Sequence, residues 1–429
     1  MWLGTITILV LIATTNSKLV DLSERGLKKE DFFMKIQTQF NLQEVTDLIL
    51  QKNEFDSFLD CSTNLVNLRT LDLSQNHLQR FFFLCKDEYN LQVLNVSHNK
   101  LEYIDNNALN NRIPKLKILD LSWNRLSIVN ETMLEHFKVL EYLTLANNPI
   151  NNGIHENAFW NLKVLRYLNL SNVSSSYFSS EFFKTLTNLS TLDLSENPIS
   201  VIPLLPANLE ELDLSNTHVS RLRGIYLPGL RELRLNGMKN LTELLLNDFE
   251  NLTSLETLSL DGSKALTFFK LSPFNDHILP RLRRLSVRNC GLRTLSHSLV
   301  SIIKRTPILN LEDNPWHCDC KMQWLSVSNA TKLVSQQIKH KERNEEFALA
   351  ELRNVSDATA ARKSAEASLP GGSIGRKARR DRRPRLDYTD PCSMGTLWNS
   401  FLDIPERDGL TGPDRTRMLR VLRGDIECP

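Results

Sequence analysis

The chain has 429 residues, of which 41% are hydrophobic and 24% are charged, and its formal net charge is +2. This is an ordinary composition for a folded protein, long enough for a large core or several domains. The near balance of charge excludes bulk electrostatics as a reason to bind nucleic acid or another polyanion.

The amino terminus has the pattern of a targeting segment. The stretch MWLGTITILVLIATTNS contains an apolar run from Ile6 to Ala13, followed by small polar residues. This predicts a secretory signal peptide over residues 1–17, cut near Ser17; the alternative is a buried first strand. No other stretch approaches the ~18 apolar residues that a membrane span needs. We therefore expect a secreted, extracellular chain, membrane-attached only in a longer form.

Cysteines and glycosylation sequons agree with a secretory route. Seven cysteines in a secreted chain predict disulfides with one thiol left over. Asn-x-Ser/Thr sequons mark candidate glycosylation sites on a secreted protein. They lie at Asn95, Asn130, Asn169, Asn172, Asn188, Asn240, Asn251, Asn329 and Asn354.

One phrase recurs from residue 18 to residue 316. It reads LDLSQNHL at 71–78, LNVSHNKL at 94–101, LDLSWNRL at 119–126 and LDLSENPI at 192–199. In the template L-x-x-L-x-L-x-x-N-x-L, the second leucine position falls at 20, 48, 71, 94, 119, 143, 168, 192, 212, 233, 258, 285 and 309. The spacing of 20 to 28 residues matches the leucine-rich-repeat period.

The phrase has a direct physical interpretation. Leu71 and Leu73 point to one side of a short strand, so Thr70, Asp72 and Ser74 point to the other. One coil cannot bury its leucines alone, whereas stacked coils bury them against each other and pair their strands. We therefore predict an α/β solenoid over residues 18–313, a horseshoe of about 13 leucine-rich repeats with one long parallel sheet on its concave face.

Asparagine interrupts the alternation where the chain turns inward and buries its backbone. A side-chain amide has both a donor and an acceptor for the backbone groups of its own and the neighbouring coil. The predicted asparagine ladder comprises Asn53, Asn76, Asn99, Asn124, Asn148, Asn197 and Asn314. Other coils carry Val173, Thr217, Met238, Ser263 and Cys290 at this position, and the ladder is expected to be broken or water-filled at the valine and the methionine.

Two cysteines occupy nearly the same place in consecutive early coils. Cys61 and Cys85 lie 24 residues apart, and neighbouring coils approach within disulfide reach. We predict a disulfide between them; the alternative is two buried free thiols. Cys290 would then be the leftover thiol, buried in the ladder.

The concave face is the candidate binding surface. Thirteen strands at ~4.8 Å spacing give an arc of about 60 Å and about forty outward side chains, which suits a protein or a long polymer. The predicted partner-binding residues are Tyr142, Tyr167, Glu211, Asp213, Glu232, Arg234, Arg284 and Arg288; the alternative is that each is an ordinary solvated residue. Asn95 and Asn169 are sequons on outward strand positions, where a glycan would obstruct the face.

The carboxyl-terminal region, 314–429, begins with NPWHCDCKMQWL at 314–325. This resembles the cysteine-rich flank of extracellular leucine-rich-repeat proteins, in which Pro-Trp precedes Cys-x-Cys and a helix with Trp follows. The matching residues are Trp316, Cys318, Cys320 and Trp324. The resemblance implies a disulfide-bonded cap with two later cysteines, and the pairing that it favours is Cys318 with Cys392 and Cys320 with Cys428.

A long insertion separates the two halves of this flank. Residues 355–386 are poor in large apolar side chains and rich in Ala, Gly and Arg, so we expect them to be disordered; the alternative is sequence from an imperfect gene model. The basic run 376–385 has three interpretations: binding of a polyanion such as heparin, proprotein cleavage after Arg383, or a solvated linker.

Catalytic motifs do not emerge from the sequence. The chain has no nucleophile elbow, phosphate loop or His-Glu-x-x-His. The cluster HCDC at 317–320 could ligate zinc, but in an oxidising compartment disulfides are favoured. We expect no enzyme activity, no cofactor and no metal.

The repeats and the flank together resemble Toll-like receptor ectodomains and chaoptin-type adhesion proteins. The resemblance implies recognition of an extracellular protein ligand or receptor in adhesion, signalling or innate immunity. Two hypotheses follow: a secreted binding protein, or the truncated ectodomain of a single-pass receptor.

Overall fold

The computed structural model describes residues 18–60, 65–83, 88–104, 112–222, 224–270 and 278–315. The strands within them are β1 (Leu19–Asp21), β2 (Asp47–Ile49), β3 (Ser57–Asp60), β4 (Thr70–Asp72), β5 (Arg80–Phe83), β6 (Val93–Asn95), β7 (Ile118–Asp120), β8 (Tyr142–Thr144), β9 (Tyr167–Asn169), β10 (Thr191–Asp193), β11 (Glu211–Asp213), β12 (Glu232–Arg234), β13 (Glu243–Leu245), β14 (Thr257–Ser259), β15 (Phe268–Lys270), β16 (Arg284–Ser286) and β17 (Ile308–Asn310).

Thirteen of these strands form one sheet, in the order β1-β2-β4-β6-β7-β8-β9-β10-β11-β12-β14-β16-β17. Every pairing is parallel and in register, so that Leu71 lies opposite Leu48 on one side and Leu94 on the other. Each coil contributes one strand, centred on the second leucine position of the repeat. The predicted parallel-sheet solenoid is therefore confirmed. Two small parallel sheets, β3 with β5 and β13 with β15, lie outside the main sheet.

The segments that return from one strand to the next contain little regular structure. Short helices span Lys29–Asp31, Gln37–Gln39, Ser180–Lys184 and Val300–Arg305, with a π-helical stretch at Phe32–Ile36 and 3₁₀ turns at Leu42–Glu44, Leu65–Asn67, Leu246–Phe249 and His297–Leu299. Ser179 begins one helix as a proper N-cap, because its Oγ accepts a hydrogen bond from the Glu181 backbone N–H at 3.3 Å. Most of each return segment consists of turns.

The core is one continuous column of leucines inside the coils. Leu48, Leu71 and Leu94 have no solvent exposure, and each contacts the coils before and after it. Burying one such side chain contributes about 1.5–3 kcal/mol. Phenylalanines such as Phe159 and Phe249 fill the remaining interior of the coils. A coil removed from this stack would expose its leucines, which is why the fold depends on repetition.

Several predicted features fall outside the described residues. They are the signal peptide 1–17, Cys61, Cys85, Cys318, Cys320, Cys392, Cys428, Asn329, Asn354, Trp316, Trp324 and the insertion with its basic run. Their disulfide, glycosylation and partner assignments stay predictions.

Candidate functional site on the open sheet face

We define the open sheet face as the first and third residues of each strand in the thirteen-stranded sheet. In most of these strands the second residue is buried and its two neighbours are half-buried, as in Thr70–Asp72. This face is the surface predicted to be concave, and it carries most of the predicted partner-binding residues.

The third strand position supplies an acceptor to the backbone that follows it. Asp72 Oδ1 accepts from the Ser74 N–H at 2.8 Å, and Asp193 Oδ1 accepts from the Ser195 N–H at 2.9 Å. Asn169 makes the same contact with the Ser171 N–H at 2.8 Å. Because an amide oxygen and a carboxylate oxygen serve equally well here, the sequons at Asn95 and Asn169 coincide with a structural position.

Behind this face the seven ladder asparagines are buried. Asn76 is representative: its Nδ2 donates to the carbonyls of Leu50 and Leu73 at 3.0 Å, and its Oδ1 accepts from the Phe55 N–H at 3.1 Å. Leu73 O also accepts from Asn99 Nδ2 at 2.9 Å, so that each amide joins its own coil to the previous one. The coils are thus held at a fixed spacing by hydrogen bonds as well as by apolar contact.

In two of the later coils, a hydroxyl group takes the place of the asparagine amide at the ladder position. Thr217 Oγ1 donates to Leu214 O of its own coil at 2.8 Å and contacts Met238 Sδ at 3.7 Å. Ser263 Oγ donates to Leu235 O at 2.9 Å and accepts from the Met238 N–H at 3.0 Å. The serine hydroxyl therefore crosses between coils, whereas the threonine hydroxyl bonds to a carbonyl of its own coil.

The ladder also contains the free thiol that the sequence assigned to it. Cys290 is buried, its Sγ contacts Leu260 O at 3.2 Å, and its N–H donates to Asn314 Oδ1 at 3.0 Å. Burial raises the pKa of this thiol to about 12. A thiol that stays protonated is a poor nucleophile, so Cys290 is a packing residue and not a reactive one.

Two tyrosines occupy the middle of the open sheet face. Tyr142 and Tyr167 begin neighbouring strands, and their rings stack with a centroid distance of 4.0 Å and an interplanar angle of 6°. Asn169 Nδ2 lies 3.4 Å from the Tyr167 hydroxyl. Burial raises the pKa of both phenols, so both remain neutral. The pair presents apolar ring edges topped by polar hydroxyl groups.

Half-buried carboxylates flank the tyrosines. The pKa of Asp193 is raised to about 6, chiefly by burial and also by the nearby charge of Asp213, while hydrogen bonds from Ser195 oppose the shift. Burial also raises the pKa of Asp120. The weak opposing effect of Arg234 on Asp193 comes from two strands away.

The predicted partner-binding residues separate into groups. Arg234 lies 2.6 Å from Glu232 and 3.8 Å from Asp213, so that three of them form one ion-paired cluster beside the half-buried Glu211. Arg288 instead pairs with Asp313 at 2.7 Å and Glu312 at 3.8 Å, beyond the end of β16. Arg284 is exposed at the start of that strand. The structure therefore does not join the arginines into one basic surface.

Asp120, Asp193 and Trp123 are not among the candidate binding residues that the sequence predicts. The Trp123 ring stacks on His98 with a centroid distance of 5.1 Å, and 49% of the tryptophan is exposed. A large aromatic residue in an otherwise polar consensus position is the signal that could have identified it. The two aspartates carry no such signal, because their burial depends on the neighbouring coils.

The remaining described sequons lie away from the strands. Asn172, Asn188, Asn240 and Asn251 are exposed, and Asn130 is half-buried with its Oδ1 accepting from the Met133 N–H at 2.9 Å. Within the described residues, no group of three or more His, Cys, Asp or Glu side chains is arranged to hold a metal ion. The same part of the chain contains no helix long and apolar enough to cross a membrane.

Comparison with known proteins identifies the repeat. The family profile described as "Leucine rich repeat" matches residues 89–150 and 114–173. These coils are leucine-rich repeats. The leucine-rich-repeat protein LIC12759 of Leptospira interrogans superposes with a TM-score of 0.51 over 66% of this chain and 71% of that chain, at 24% identity, which supports the fold.

The chain is also homologous to extracellular leucine-rich-repeat proteins of vertebrates. Human Toll-like receptor 2 is 34% identical over 227 residues, which are 51% of this chain and 28% of the receptor. Mouse nephrocan is 26% identical over 158 residues, which are 32% of this chain and 31% of nephrocan. The similarity thus spans less than a third of either relative.

Proposed function

We propose that this chain is an extracellular recognition module that binds a protein ligand through the open sheet face. The observation that carries the proposal is the extent of that face. Thirteen strands at a spacing of about 4.8 Å span about 58 Å. A standard protein interface uses about 20–30 residues a side, which this face can provide. Homology to Toll-like receptor 2 and nephrocan supports an extracellular recognition role.

The cavities of the described residues do not favour catalysis. An open groove of about 450 Å³ lies between residues 200–205 and residues 220–221 and 224–227, on the return side of two coils. Its lining contains Val201, Leu204, Arg221 and Tyr226 but no carboxylate, histidine or cysteine. General acid–base or nucleophilic catalysis needs such groups in contact with each other. A large, exposed sheet face suits binding better than this groove suits chemistry.

A second form of the proposal places this solenoid in the ectodomain of a longer single-pass receptor. The similarity to Toll-like receptor 2 favours it. Sequencing the complete transcript tests it, because a receptor requires a hydrophobic span encoded beyond Pro429.

Steric blockade of the face tests the binding proposal. Asp193→Asn creates the sequon Asn-Leu-Ser on the open sheet face, where a secretory host can add a glycan. The natural sequons at Asn95 and Asn169 lie on the same face, so the binding proposal also requires that they carry no glycan. Lys163→Thr creates a sequon at Asn161 on the return segment of a neighbouring coil and serves as the control. The labelled proteins are incubated with cells that display extracellular proteins of the source organism.

We expect the wild-type chain and the Lys163→Thr variant to bind the same cells, and the Asp193→Asn variant to lose at least about nine-tenths of the signal. Mass spectrometry confirms that both glycans are present. Equal binding by all three proteins would contradict the assignment of the open sheet face, and no binding by the wild-type chain across the display set would contradict the recognition role.

A further inference from the structure

The first half of the open sheet face has an unusual charge pattern. From β4 to β11, its outward strand positions contain no lysine or arginine. They contain the five carboxylates Asp72, Asp120, Asp193, Glu211 and Asp213. The next strand, β12, carries the first arginine, Arg234. The strands before β4 add Asp21 and Asp47 and no lysine or arginine, so the acidic region without basic residues runs continuously from β1 to β11.

Nearby basic side chains already have acidic partners. Arg234 pairs with Glu232 at 2.6 Å, Lys117 with Glu141 at 3.4 Å, and Arg231 with Glu210 at 3.6 Å. The exposed Arg166 directly precedes Tyr167, but it is not among the groups that perturb Asp193. Within the described residues, no ion pair joins Asp120 or Asp193 to a lysine or arginine; His98, when protonated, lowers the pKa of Asp120, and Arg234 lowers that of Asp193 from two strands away.

The stacked tyrosines add an apolar component at the centre of this region. The guanidinium group of arginine stacks favourably on aromatic side chains, and tyrosine is enriched at the centres of protein interfaces. Tyr142 and Tyr167 lie on β8 and β9, between the strands of Asp120 and Asp193. An aromatic pair with a carboxylate on each side matches a cationic side chain in both shape and charge.

We propose that the part of the open sheet face from β7 to β11 binds a segment of a protein partner that carries arginine and lysine, with Tyr142 and Tyr167 contacting it centrally and Asp120 and Asp193 pairing with its cations. This inference rests on the proposed recognition function and specifies the partner's chemistry. A partner surface of the same acidic charge would be repelled, and burial of unpaired carboxylates under a neutral surface would be costly.

The strand spacing also defines the spacing of the cations. Asp120 and Asp193 are three strands apart, which is about 14 Å. An extended peptide that crosses the strands advances about 3.4 Å per residue, so it covers this distance in about four residues. The best-matched segment therefore carries basic residues about four positions apart.

The test uses a synthetic peptide with arginine at every fourth position in a Gly/Ser background, and a matched peptide with glutamate in place of arginine. Binding to the 429-residue chain is measured by biolayer interferometry at about 0.15 M salt, where weak exposed charge pairs are already screened. Asp193→Asn removes one charge, and it is made together with Ser195→Ala so that no sequon is created. Ser195→Ala alone is the reference, and Glu156→Gln, an exposed carboxylate on the return segment before Tyr167, is the matched control.

We expect the arginine peptide to bind and the glutamate peptide not to bind. The double variant should bind the arginine peptide about fivefold more weakly than Ser195→Ala does, which is the effect of about one lost ion pair. The Glu156→Gln variant should bind this peptide as the wild type does. Equal weakening by Glu156→Gln and the Asp193 variant, or no binding of the arginine peptide, would overturn the inference, as would a glycan found on Asn169. If glycan blockade abolishes cell binding but the arginine peptide fails, the recognition function stands and only the basic partner is wrong.

Discussion

At the scale of single residues, the ladder asparagines are the side chains whose loss should affect stability most. Asn76 is buried and joins two coils through Leu50 O, Leu73 O and the Phe55 N–H. Truncation would leave the buried Phe55 N–H without a partner, which costs about 1–3 kcal/mol. It would also remove one of two donors from Leu50 O and Leu73 O, which keep their bonds to Asn53 and Asn99. The cost arises because these hydrogen bonds are buried, so an exposed asparagine should not show it.

We predict that Asn76→Ala lowers the free energy of unfolding by about 3 kcal/mol. Asn208→Ala provides the matched control. Asn208 Nδ2 also donates to a carbonyl of the previous coil, Thr187 O at 2.9 Å, but it is exposed, so water can replace the bond and the cost should stay below about 1 kcal/mol. Denaturant unfolding followed by circular dichroism measures both, and equal losses would contradict a special role for burial.

The raised pKa of Asp193 gives a second residue-scale prediction, for stability against pH. Its pKa is about 6 in the folded chain, against 3.8 in the unfolded chain, so the folded state binds the proton more tightly. The contribution of Asp193 to stability is therefore lost as pH rises from about 4 to 6 and stays constant above that. Asp213, Ser195 and the more distant Arg234 are the groups that act on it.

We predict that Asp193→Asn in a Ser195→Ala background is more stable at pH 7 than Ser195→Ala alone, and that the difference disappears near pH 4. Asparagine should keep the backbone contact, because Asn169 accepts from the Ser171 N–H in the adjacent coil. Unfolding free energies measured between pH 4 and 7.5 check this. A difference that does not change with pH would mean that Asp193 titrates normally.

At the scale of elements, the repeat predicted each strand of the thirteen-stranded sheet, but neither the two small sheets nor the way in which the return segments pair. Exposed or half-buried asparagines on these segments donate to a carbonyl of the previous coil: Asn67 to Gln43 O at 2.8 Å, Asn161 to Glu135 O at 3.1 Å and Asn208 to Thr187 O at 2.9 Å. The sequence signal is an Asn-Leu pair before the strand. The carbonyl to which this asparagine donates depends on the distance between coils, which the sequence of one repeat does not specify.

Coils that lack the ladder asparagine should differ from the other coils in local stability. Asn76 and Asn99 bond to their own and the previous coil, whereas Thr217 bonds only to a carbonyl of its own coil and to a thioether. A hydroxyl group has one donor where an amide has two. The coils of β11 and β12 should therefore open more readily than those of β4 and β6.

We predict faster amide hydrogen exchange for peptides covering 214–240 than for peptides covering 73–101. Both regions lie inside the sheet and not at its ends, so fraying does not explain the difference. Exchange followed by mass spectrometry under native conditions measures it. Equal protection in the two regions would show that leucine packing alone sets the local stability.

At the scale of the whole molecule, the period of the repeat predicts the fold because one coil defines the next. The interior leucines and the in-register sheet could be derived from spacing alone. The candidate site could be derived only in part. Tyr142 and Tyr167 were identified as outward aromatics, but the desolvation of Asp193 and the internal pairing of Arg234 arise from neighbouring coils that differ in sequence. The repeat predicts the residues that all coils share, whereas the candidate binding residues are those that differ from coil to coil.

The recognition surface is tested most directly by blocking it and then restoring it on the same polypeptide. In the Asp193→Asn variant, a glycan on the new sequon covers the face; peptide N-glycosidase F then removes it and converts the linked asparagine to aspartate, which regenerates the wild-type side chain. Wild-type protein treated with the same enzyme is the reference. We predict that cell binding is absent before digestion and returns to the level of the reference afterwards, whereas binding that persists with the glycan in place would contradict recognition through the open sheet face.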